Sequence, residues 1–347
     1  METDQVTCAL FRALLGRDAE PAAVANFRGM GIEAVARAIV ESPEFRQRQG
    51  AATGERSPFW HYAARFDAPG LMWKYAVSGL QPRPGLIVNF LGVVIDPKFL
   101  PLILRGMAGE VQPVPMPSNW HADIAEWGAV LRAVDLAGDT FVVAELGCGW
   151  GCWLNNACVP AKRAGKQVFG IGVEGDPGHV EFAKEACALN GLLPSEIAVH
   201  HAIAGKDGWA LFPRQEHAGH SWGLQAVFDA TPEQRAEALR RKTHQELPML
   251  SLATISGGKR LDLLHIDIQG AEVDVIRNSL DFLDSNVAYI MVGTHSKQIE
   301  GQLMDLLLPR GWVLEIERPA ILSLAEETPL VTVDGVQGWR NRVLRPL

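Results

Sequence analysis

Apolar and polar residues alternate in regular blocks from about residue 119 to the end of the chain. Runs rich in β-branched residues predict strands, and apolar residues at helical spacing between them predict helices. This alternation predicts an α/β fold with a mostly parallel sheet covered on both faces. The predicted strands are TFVVAEL (140–146), KQVFGIGVE (166–174), EIAVHHAI (196–203), RLDLLHIDI (260–268) and VAYIMVGTH (287–295).

Helices are predicted between and after these strands. DPGHVEFAKEACALNG (176–191) ends in an Asn-Gly cap, and GAEVDVIRNSLDFLDS (270–285) repeats apolar residues along one face. An amphipathic helix is predicted through Ile299, Leu303 and Leu306. We expect the last two segments, WVLEIERP (312–319) and WRNRVLRP (339–346), to form a partly antiparallel edge of the sheet.

The N-terminal part of the chain has a different pattern, which predicts short helices over residues 5–48. The segment contains LLGR and ends in SPEF, and with these motifs it resembles a small helical domain related to phycobilisome linkers. We expect it to form an all-α module. The apolar residues predicted to share a face are Val6, Leu10 and Leu14 in one helix, and Ile32, Val35, Ile39 and Val40 in another.

Pro and Gly punctuate residues 51–118, which predicts a partly structured connecting region. The sequence therefore predicts three parts, namely 1–50, 51–118 and a main domain over 119–347. The most apolar tract, LIVNFLGVVIDPKFLPLIL, is interrupted by Asp96, Pro97, Lys98 and Pro101, so it lacks the roughly 20 apolar residues of a membrane span.

Composition narrows the classes of function. The net charge is −8 and no dense Lys/Arg block is present, which disfavours binding to nucleic acid. The N-terminus lacks the basic start of a signal peptide, so we expect a cytoplasmic protein. The five cysteines show no CxxC spacing, which predicts reduced thiols rather than a zinc site or disulfides.

A glycine-rich turn, ELGCGWG, follows the first predicted strand. A dinucleotide fingerprint would require glycine where Cys152 or Leu154 stands, and no Gly-Lys-Ser/Thr follows as in a P-loop. The pattern that fits is an acid, Glu145, followed by alternating glycines. A carboxylate would repel a pyrophosphate but suits a cationic ligand such as S-adenosylmethionine.

The second predicted strand also ends in an acid, Glu174, where a carboxylate can accept hydrogen bonds from ribose hydroxyls. The alternative is that Glu174 and Asp176 only cap the next helix. We expect the third strand to end where adenine packs. The predicted cofactor residues are Glu145, Gly147, Cys148, Gly149, Trp150, Gly151, Glu174, Gly175, Asp176, His201, Ala202 and Asp267.

The segment LDLLHIDIQGAEVDVIRNSLDFL, with ELPMLSLATI before it and GTHSKQIEGQLMDLLLPRGWVLE after it, resembles the FkbM family of S-adenosylmethionine-dependent methyltransferases. The resemblance covers roughly residues 119–347. It implies a class I methyltransferase fold, a seven-stranded sheet of order 3-2-1-4-5-7-6, and methyl transfer to oxygen. It also implies acceptors among sugars, glycans and natural-product precursors. Residues 204–259 do not map onto a general motif of the family.

A sugar hydroxyl needs a base or a metal near the ends of the fourth and fifth strands. We predict that His295 is the general base, with a structural role as its alternative. Asp267 could orient His295, bind the acceptor or ligate a cation, and Glu272 could join it or only complement a helix dipole. With one firm carboxylate, the sequence predicts no tight metal site and leaves weak Mg²⁺ assistance open.

The acceptor is harder to predict. His220, Trp222 and Glu272 are candidate substrate residues, since an indole can cover a sugar ring. Two other functions stay open: a non-catalytic adenosyl-binding partner module, and a methyltransferase of a non-sugar small molecule. Partner binding or homo-oligomerisation through the N-terminal helices also stays open.

Overall fold

The computed structural model describes residues 3–15, 19–40, 57–325 and 327–347. Contacts divide the chain into two compact units, Met1–Trp60 and His61–Leu347. The boundary of the larger unit therefore lies at residue 61, whereas the sequence predicted that the main domain begins at residue 119. In the described ranges, none of the helices combines the length and the apolar composition that crossing a membrane requires.

The smaller unit is helical where it is described. Its helices are α1 (Thr3–Leu15), α2 (Pro21–Phe27) and α3 (Ile32–Val40), followed by a 3-10 turn at Pro58–Trp60. Phe11, Val35 and Ile39 form its core, whereas Ile32 is 59% exposed and lies outside the face predicted for it. The motif SPEF and the glycine and arginine of LLGR lie outside the described residues. The resemblance to phycobilisome linkers stays a prediction.

The larger unit contains fifteen strands within its described residues. They are β1 (Ala63–Ala64), β2 (Ile87–Val88), β3 (Val94–Ile95), β4 (Thr140–Leu146), β5 (Gln167–Glu174), β6 (Ile197–His201), β7 (Ile203–Ala204), β8 (Gly208–Pro213), β9 (His244–Leu250), β10 (Leu263–Ile266), β11 (Tyr289–Thr294), β12 (Trp312–Arg318), β13 (Ile321–Ser323), β14 (Leu330–Val333) and β15 (Gly335–Asn341).

Its helices surround the main sheet. They are α4 (Ala68–Tyr75), α5 (Ile124–Leu136), α6 (Cys152–Arg163), α7 (Pro177–Leu189), α8 (Pro232–Arg240), α9 (Leu252–Ser256), α10 (Glu272–Arg277), α11 (Leu280–Asn286) and α12 (Lys297–Leu307), with 3-10 turns at Pro97–Phe99 and Leu308–Arg310. The helix predicted over residues 270–285 is two helices, because Ser279 has a φ of −126° that breaks the helical path.

The main sheet has eight strands in the order β1-β12-β15-β11-β10-β4-β5-β6. Strands β6, β5, β4, β10 and β11 are parallel, and β15 runs antiparallel between β11 and β12. The predicted α/β class is confirmed, and the antiparallel edge is present. The count is one strand higher than predicted, because Ala63–Ala64 pairs with β12.

Alternate residues of the central strands pack into layers on opposite faces of the sheet. On β4, Phe141 and Val143 belong to the core on one face, and Val142 and Ala144 to the core on the other. All four are buried, as expected for a parallel strand covered on both sides. The carboxyl ends of β4, β5, β10 and β11 therefore meet at one edge.

The segment that did not map onto the family forms its own small sheet beside that edge. Its strands have the order β7-β9-β8. The predicted third strand, 196–203, is interrupted because the Ala202 N–H donates to the Glu174 carbonyl and Ile203 then pairs with Met249 of β9. Residues after Ala202 thus leave the main sheet and close over its carboxyl edge.

Candidate active site

Three glycines follow β4 and adopt left-handed backbone conformations. Gly147, Gly149 and Gly151 have φ values of +74°, +52° and +74°, which strain any residue with a side chain. A Cβ atom on Gly147 would lie 2.0 Å from the carbonyl oxygen of Asp267. The loop therefore packs against the end of β10 with no room for a side chain.

Glu145 lies at the end of β4 and is 1% exposed. Its carboxylate accepts hydrogen bonds from the backbone N–H groups of Trp153 (3.1 Å) and Leu154 (2.8 Å), in the first turn of α6. Burial raises the pKa of Glu145 to about 8. The carboxylate joins α6 to β4, in addition to its place in the wall of the cavity described below.

Glu174 ends β5 and lies beside the glycine loop. It accepts hydrogen bonds from the Gly149 N–H (2.8 Å) and the Asp176 N–H (2.8 Å). Asp176 is the N-cap of α7 and accepts the His179 N–H at 2.9 Å. Asp176 is thus a helix cap, whereas Glu174 joins the loop after β4 to the loop after β5. Burial raises the pKa of Glu174.

A cavity of about 540 Å³ opens above this edge of the sheet. Six carboxyl side chains line it, and no lysine or arginine does so among the described residues. The predicted residues in its wall are Glu145, Gly147, Cys148, Gly149, Trp150, Glu174, Gly175, Asp176, Ala202, Trp222 and Asp267. The carboxyl side chains are Glu126, Glu145, Glu174, Asp176, Asp267 and Asp334.

Other predicted residues do not line the cavity. Gly151 is the N-cap of α6, and His201 contacts the Gly175 carbonyl at 3.0 Å. His220 is exposed and packs near His217, with ring centroids 5.4 Å apart. Glu272 is fully buried, and His295 lies behind Asp267. The predicted contacts of His220 and Glu272 with substrate therefore have no support in this geometry.

Trp222 belongs to residues 204–259, the segment that forms the small sheet, and it covers the glycine loop. Its ring stacks on His179 with centroids 4.1 Å apart and an interplanar angle of 6°. A Cβ atom on Gly149 would lie 2.7 Å from the same ring. This position differs from the predicted stacking on a sugar, because His179 already covers one face of the indole.

His295 lies between two carboxylates. Its Nε2 is 3.2 Å from Asp267 Oδ1, and its Nδ1 is 2.9 Å from Glu272 Oε1. Burial opposes protonation, but the two carboxylates outweigh it and raise the pKa of His295 to about 10. The pKa of Asp267 is lowered by His295 despite burial. Both ring nitrogens already face carboxylates, and His295 does not line the cavity, so this geometry does not support the predicted general base, which stays a prediction.

Comparisons with known proteins identify the family. The sequence model of the methyltransferase FkbM domain matches residues 137–314. A protein of Jannaschia sp. (strain CCS1), named "Putative methyltransferase", is 41% identical over 271 residues, which are 78% of this chain and 97% of that protein. The chain belongs to the FkbM methyltransferase family.

Two solved structures match this FkbM methyltransferase with low identity and low TM-scores. An FkbM methyltransferase from Methylobacillus flagellatus KT has 11% identity and a TM-score of 0.40, with 95% of this chain and 58% of that chain covered. A protein of the NADB-Rossmann superfamily from Streptococcus agalactiae has 12% identity and a TM-score of 0.34, with 61% and 67% covered.

The cavity of this FkbM methyltransferase also contains residues that were not among the predicted site residues. His179 and Glu126 come from the first turns of α7 and α5, and Asp334 precedes β15. His121 lines the wall with its Nε2 against the Cys152 thiol. The sequence could have indicated that His179 and Glu126 lie in the first turn of a helix, because each stands three residues after an aspartate that caps the helix. All five cysteines are free of disulfide bonds in the structure.

Proposed function

We propose that this FkbM methyltransferase is an S-adenosylmethionine-dependent O-methyltransferase that acts on a sugar hydroxyl of a glycan or natural-product precursor. The charge of the cavity wall carries this proposal. Six carboxyl side chains and no lysine or arginine, among the described residues, face one cavity of about 540 Å³. A bound sulfonium or ammonium group favours the ionised form of these acids, including Glu145 and Glu174, whose pKa burial raises. The pyrophosphate of a dinucleotide would oppose that ionisation.

The glycine loop supports the same ligand. Gly147 and Gly149 line the cavity beside Asp267 and Trp222, and their lack of a side chain lets a ligand approach the backbone closely. Glu174 reaches the cavity from the end of β5, where a carboxylate can exchange its loop contacts for ribose hydroxyls. The residues that would hold the adenosyl group are Gly147, Gly149, Glu174 and Ala202, with Trp222 above the loop.

S-adenosylmethionine would supply an electrophilic methyl group: its S–CH₃ bond would break as the O–CH₃ bond forms, the hydroxyl proton would pass to water, and S-adenosylhomocysteine would leave. Asp267, which lies in the cavity wall with its side chain 45% exposed, would orient that hydroxyl. Trp120, Trp153 and Phe228 give the rest of the wall an aromatic character that suits the C–H faces of a sugar ring. The absence of lysine and arginine from the wall, as far as the structure describes it, favours acceptors without phosphate or carboxylate.

Calorimetric titration tests the proposal. We expect S-adenosylmethionine to bind and NAD to give no heat of binding. Glu174→Gln should weaken the binding of S-adenosylmethionine by about 1.5–3 kcal/mol, the usual effect of losing a charged hydrogen-bond partner. Glu181→Gln is the matched control, because Glu181 is an exposed acid on the following helix, with its side chain 64% exposed.

Turnover is measured as release of S-adenosylhomocysteine with neutral glycosides and with sugar phosphates as acceptors. Equal affinities of the parent, Glu174→Gln and Glu181→Gln proteins would remove Glu174 from the site. Binding without turnover on any hydroxyl acceptor would leave a non-catalytic adenosyl-binding protein. Tighter binding of NAD than of S-adenosylmethionine would overturn the proposal.

A further inference from the structure

Three potential metal ligands converge at the side of the cavity where Asp267 lies, which we call the acceptor side. Asp267 follows β10, Glu272 begins α10 and His295 follows β11. One ligand atom from each side chain lies within 4.8 Å of the other two. The sequence predicted one carboxylate, that of Asp267, at this edge. The fold brings the Glu272 carboxylate and the His295 imidazole next to it.

The ion pairs among the three groups leave two buried atoms without a hydrogen bond. Glu272 is fully buried, and its Oε1 accepts the N–H groups of Ile268 (3.2 Å) and Gly270 (3.0 Å), while its Oε2 has no hydrogen-bond partner. His295 Nδ1 is also buried without a hydrogen-bond partner, although Glu272 Oε1 is 2.9 Å away. A buried carboxylate oxygen without a partner is costly. A cation would remove this cost at both atoms.

The surroundings hold the ligands in place and leave one side open. Gln269 has a φ of +60° and donates to Asp267 Oδ1 at 3.3 Å. The carbonyl of Asp267 abuts the glycine loop, whereas its carboxylate faces the cavity. A bound cation would displace the proton of His295, and the two carboxylates with the neutral imidazole would then carry a charge of about −2, which matches a divalent cation. Two oxygens and one nitrogen, with room for water or an acceptor oxygen, suit Mn²⁺ or Mg²⁺.

We propose that Asp267, Glu272 and His295 bind a divalent cation of the Mn²⁺ type in the wall of the acceptor side of the cavity. Its role rests on the proposed function: the cation would bind the acceptor hydroxyl oxygen and lower the pKa of that hydroxyl. The site itself stands on the geometry of the three side chains and can be tested without turnover.

Electron paramagnetic resonance on the full chain tests the site. The protein is stripped with EDTA and titrated with Mn²⁺, and spin-echo modulation then reports any imidazole nitrogen bound to the metal. We expect one Mn²⁺ per chain with one nitrogen coupling. Glu272→Gln keeps an oxygen for the two backbone N–H groups and should weaken Mn²⁺ binding by at least about ten-fold. His295→Asn should weaken it similarly and abolish the nitrogen coupling.

Asp274→Asn is the matched control, because Asp274 lies on the same helix with its side chain 73% exposed and pairs with Arg277. It should bind Mn²⁺ as tightly as the parent. Absence of the nitrogen coupling from the parent protein would overturn the inference, as would equal affinities in the parent, Glu272→Gln and His295→Asn proteins. S-adenosylmethionine binding in EDTA is measured on the same samples. Cofactor binding without Mn²⁺ binding refutes only this inference, whereas Mn²⁺ binding without cofactor binding refutes only the proposed function.

Discussion

His121 shows how burial sets the charge of a single residue in this cavity. Its ring lies among four indoles, with centroid distances from 4.9 to 6.2 Å. This enclosure lowers the pKa of His121 to about 3, because the charged form loses its water. The imidazole is therefore neutral at physiological pH, in contrast to His295 between its two carboxylates. The four indoles belong to Trp120, Trp127, Trp150 and Trp153.

Stability of the cofactor-free protein should consequently depend on pH through His121. An unfolded histidine binds a proton near pH 6.5, whereas the folded imidazole stays neutral until about pH 3. The unfolded state takes up more protons as pH falls below 6.5, so the free energy of unfolding decreases there. Between pH 7.5 and 5 we expect the parent to lose about 1–2 kcal/mol more than His121→Gln. Urea unfolding at both pH values measures the difference, and parallel losses in the two proteins would contradict it.

The structure also shows which site residues a sequence can reveal. Glu145, Glu174 and Asp267 could be predicted, because each follows or ends a parallel strand and such strand ends meet at one edge. Asp334 could not, because its place in the wall depends on where the hairpin before β15 folds back. Glu272 was placed on the right helix, but its approach to His295 depends on the packing of α10 behind β11.

Among the elements, the loop between β4 and α6 contacts several residues of the candidate site. Gly147 touches the end of β10, Gly149 donates its N–H to Glu174 and lies under Trp222, and Gly151 begins α6. A change in this loop therefore reaches both the predicted cofactor contacts and Asp267.

Gly147→Ala should disrupt this loop. The added Cβ would lie 2.0 Å from the backbone oxygen of Asp267, which cannot rotate away. Gly165→Ala is the matched control, because Gly165 has a similar φ of +85° and no atom within 4 Å of an added Cβ. The control should lose about 1–2 kcal/mol from the left-handed strain alone. Gly147→Ala should lose at least about 2 kcal/mol more in urea unfolding; equal losses would show that the loop yields easily.

Elements were predictable where one physical signal dominated. The boundaries of β4 match the predicted strand 140–146, because a strand buried on both faces is mostly apolar, and here only Thr140 and Glu145 are polar. The fourth predicted strand, 260–268, is shorter in the structure, because the chain turns after Ile266 into the positive φ of Gln269. That turn places Asp267 at the cavity, and no periodicity of the sequence marks it.

At the scale of the whole molecule, residues 61–118 belong to the core of the larger unit. Proline and glycine predicted a connecting region there, and the elements are indeed short. Their apolar side chains are nonetheless fully enclosed: Met72, Ile87, Leu91 and Leu104 are 0% exposed. These residues belong to the same core cluster as Trp127 of α5 and Phe141 of β4.

Two truncations distinguish the observed boundary from the predicted one. A chain that begins at His61 retains the whole larger unit, so it should unfold in urea within about 1 kcal/mol of the full chain and bind S-adenosylmethionine equally well. A chain that begins at residue 119 loses at least four large core side chains. Each such loss costs about 2–5 kcal/mol, so four cost roughly 8–20 kcal/mol, which is comparable to or larger than the roughly 5–15 kcal/mol that stabilises a typical domain. The shorter chain should therefore be insoluble, or unfolded when measured by circular dichroism. If a chain that begins at residue 119 is stable and binds the cofactor, residues 61–118 only cover a core that is complete without them.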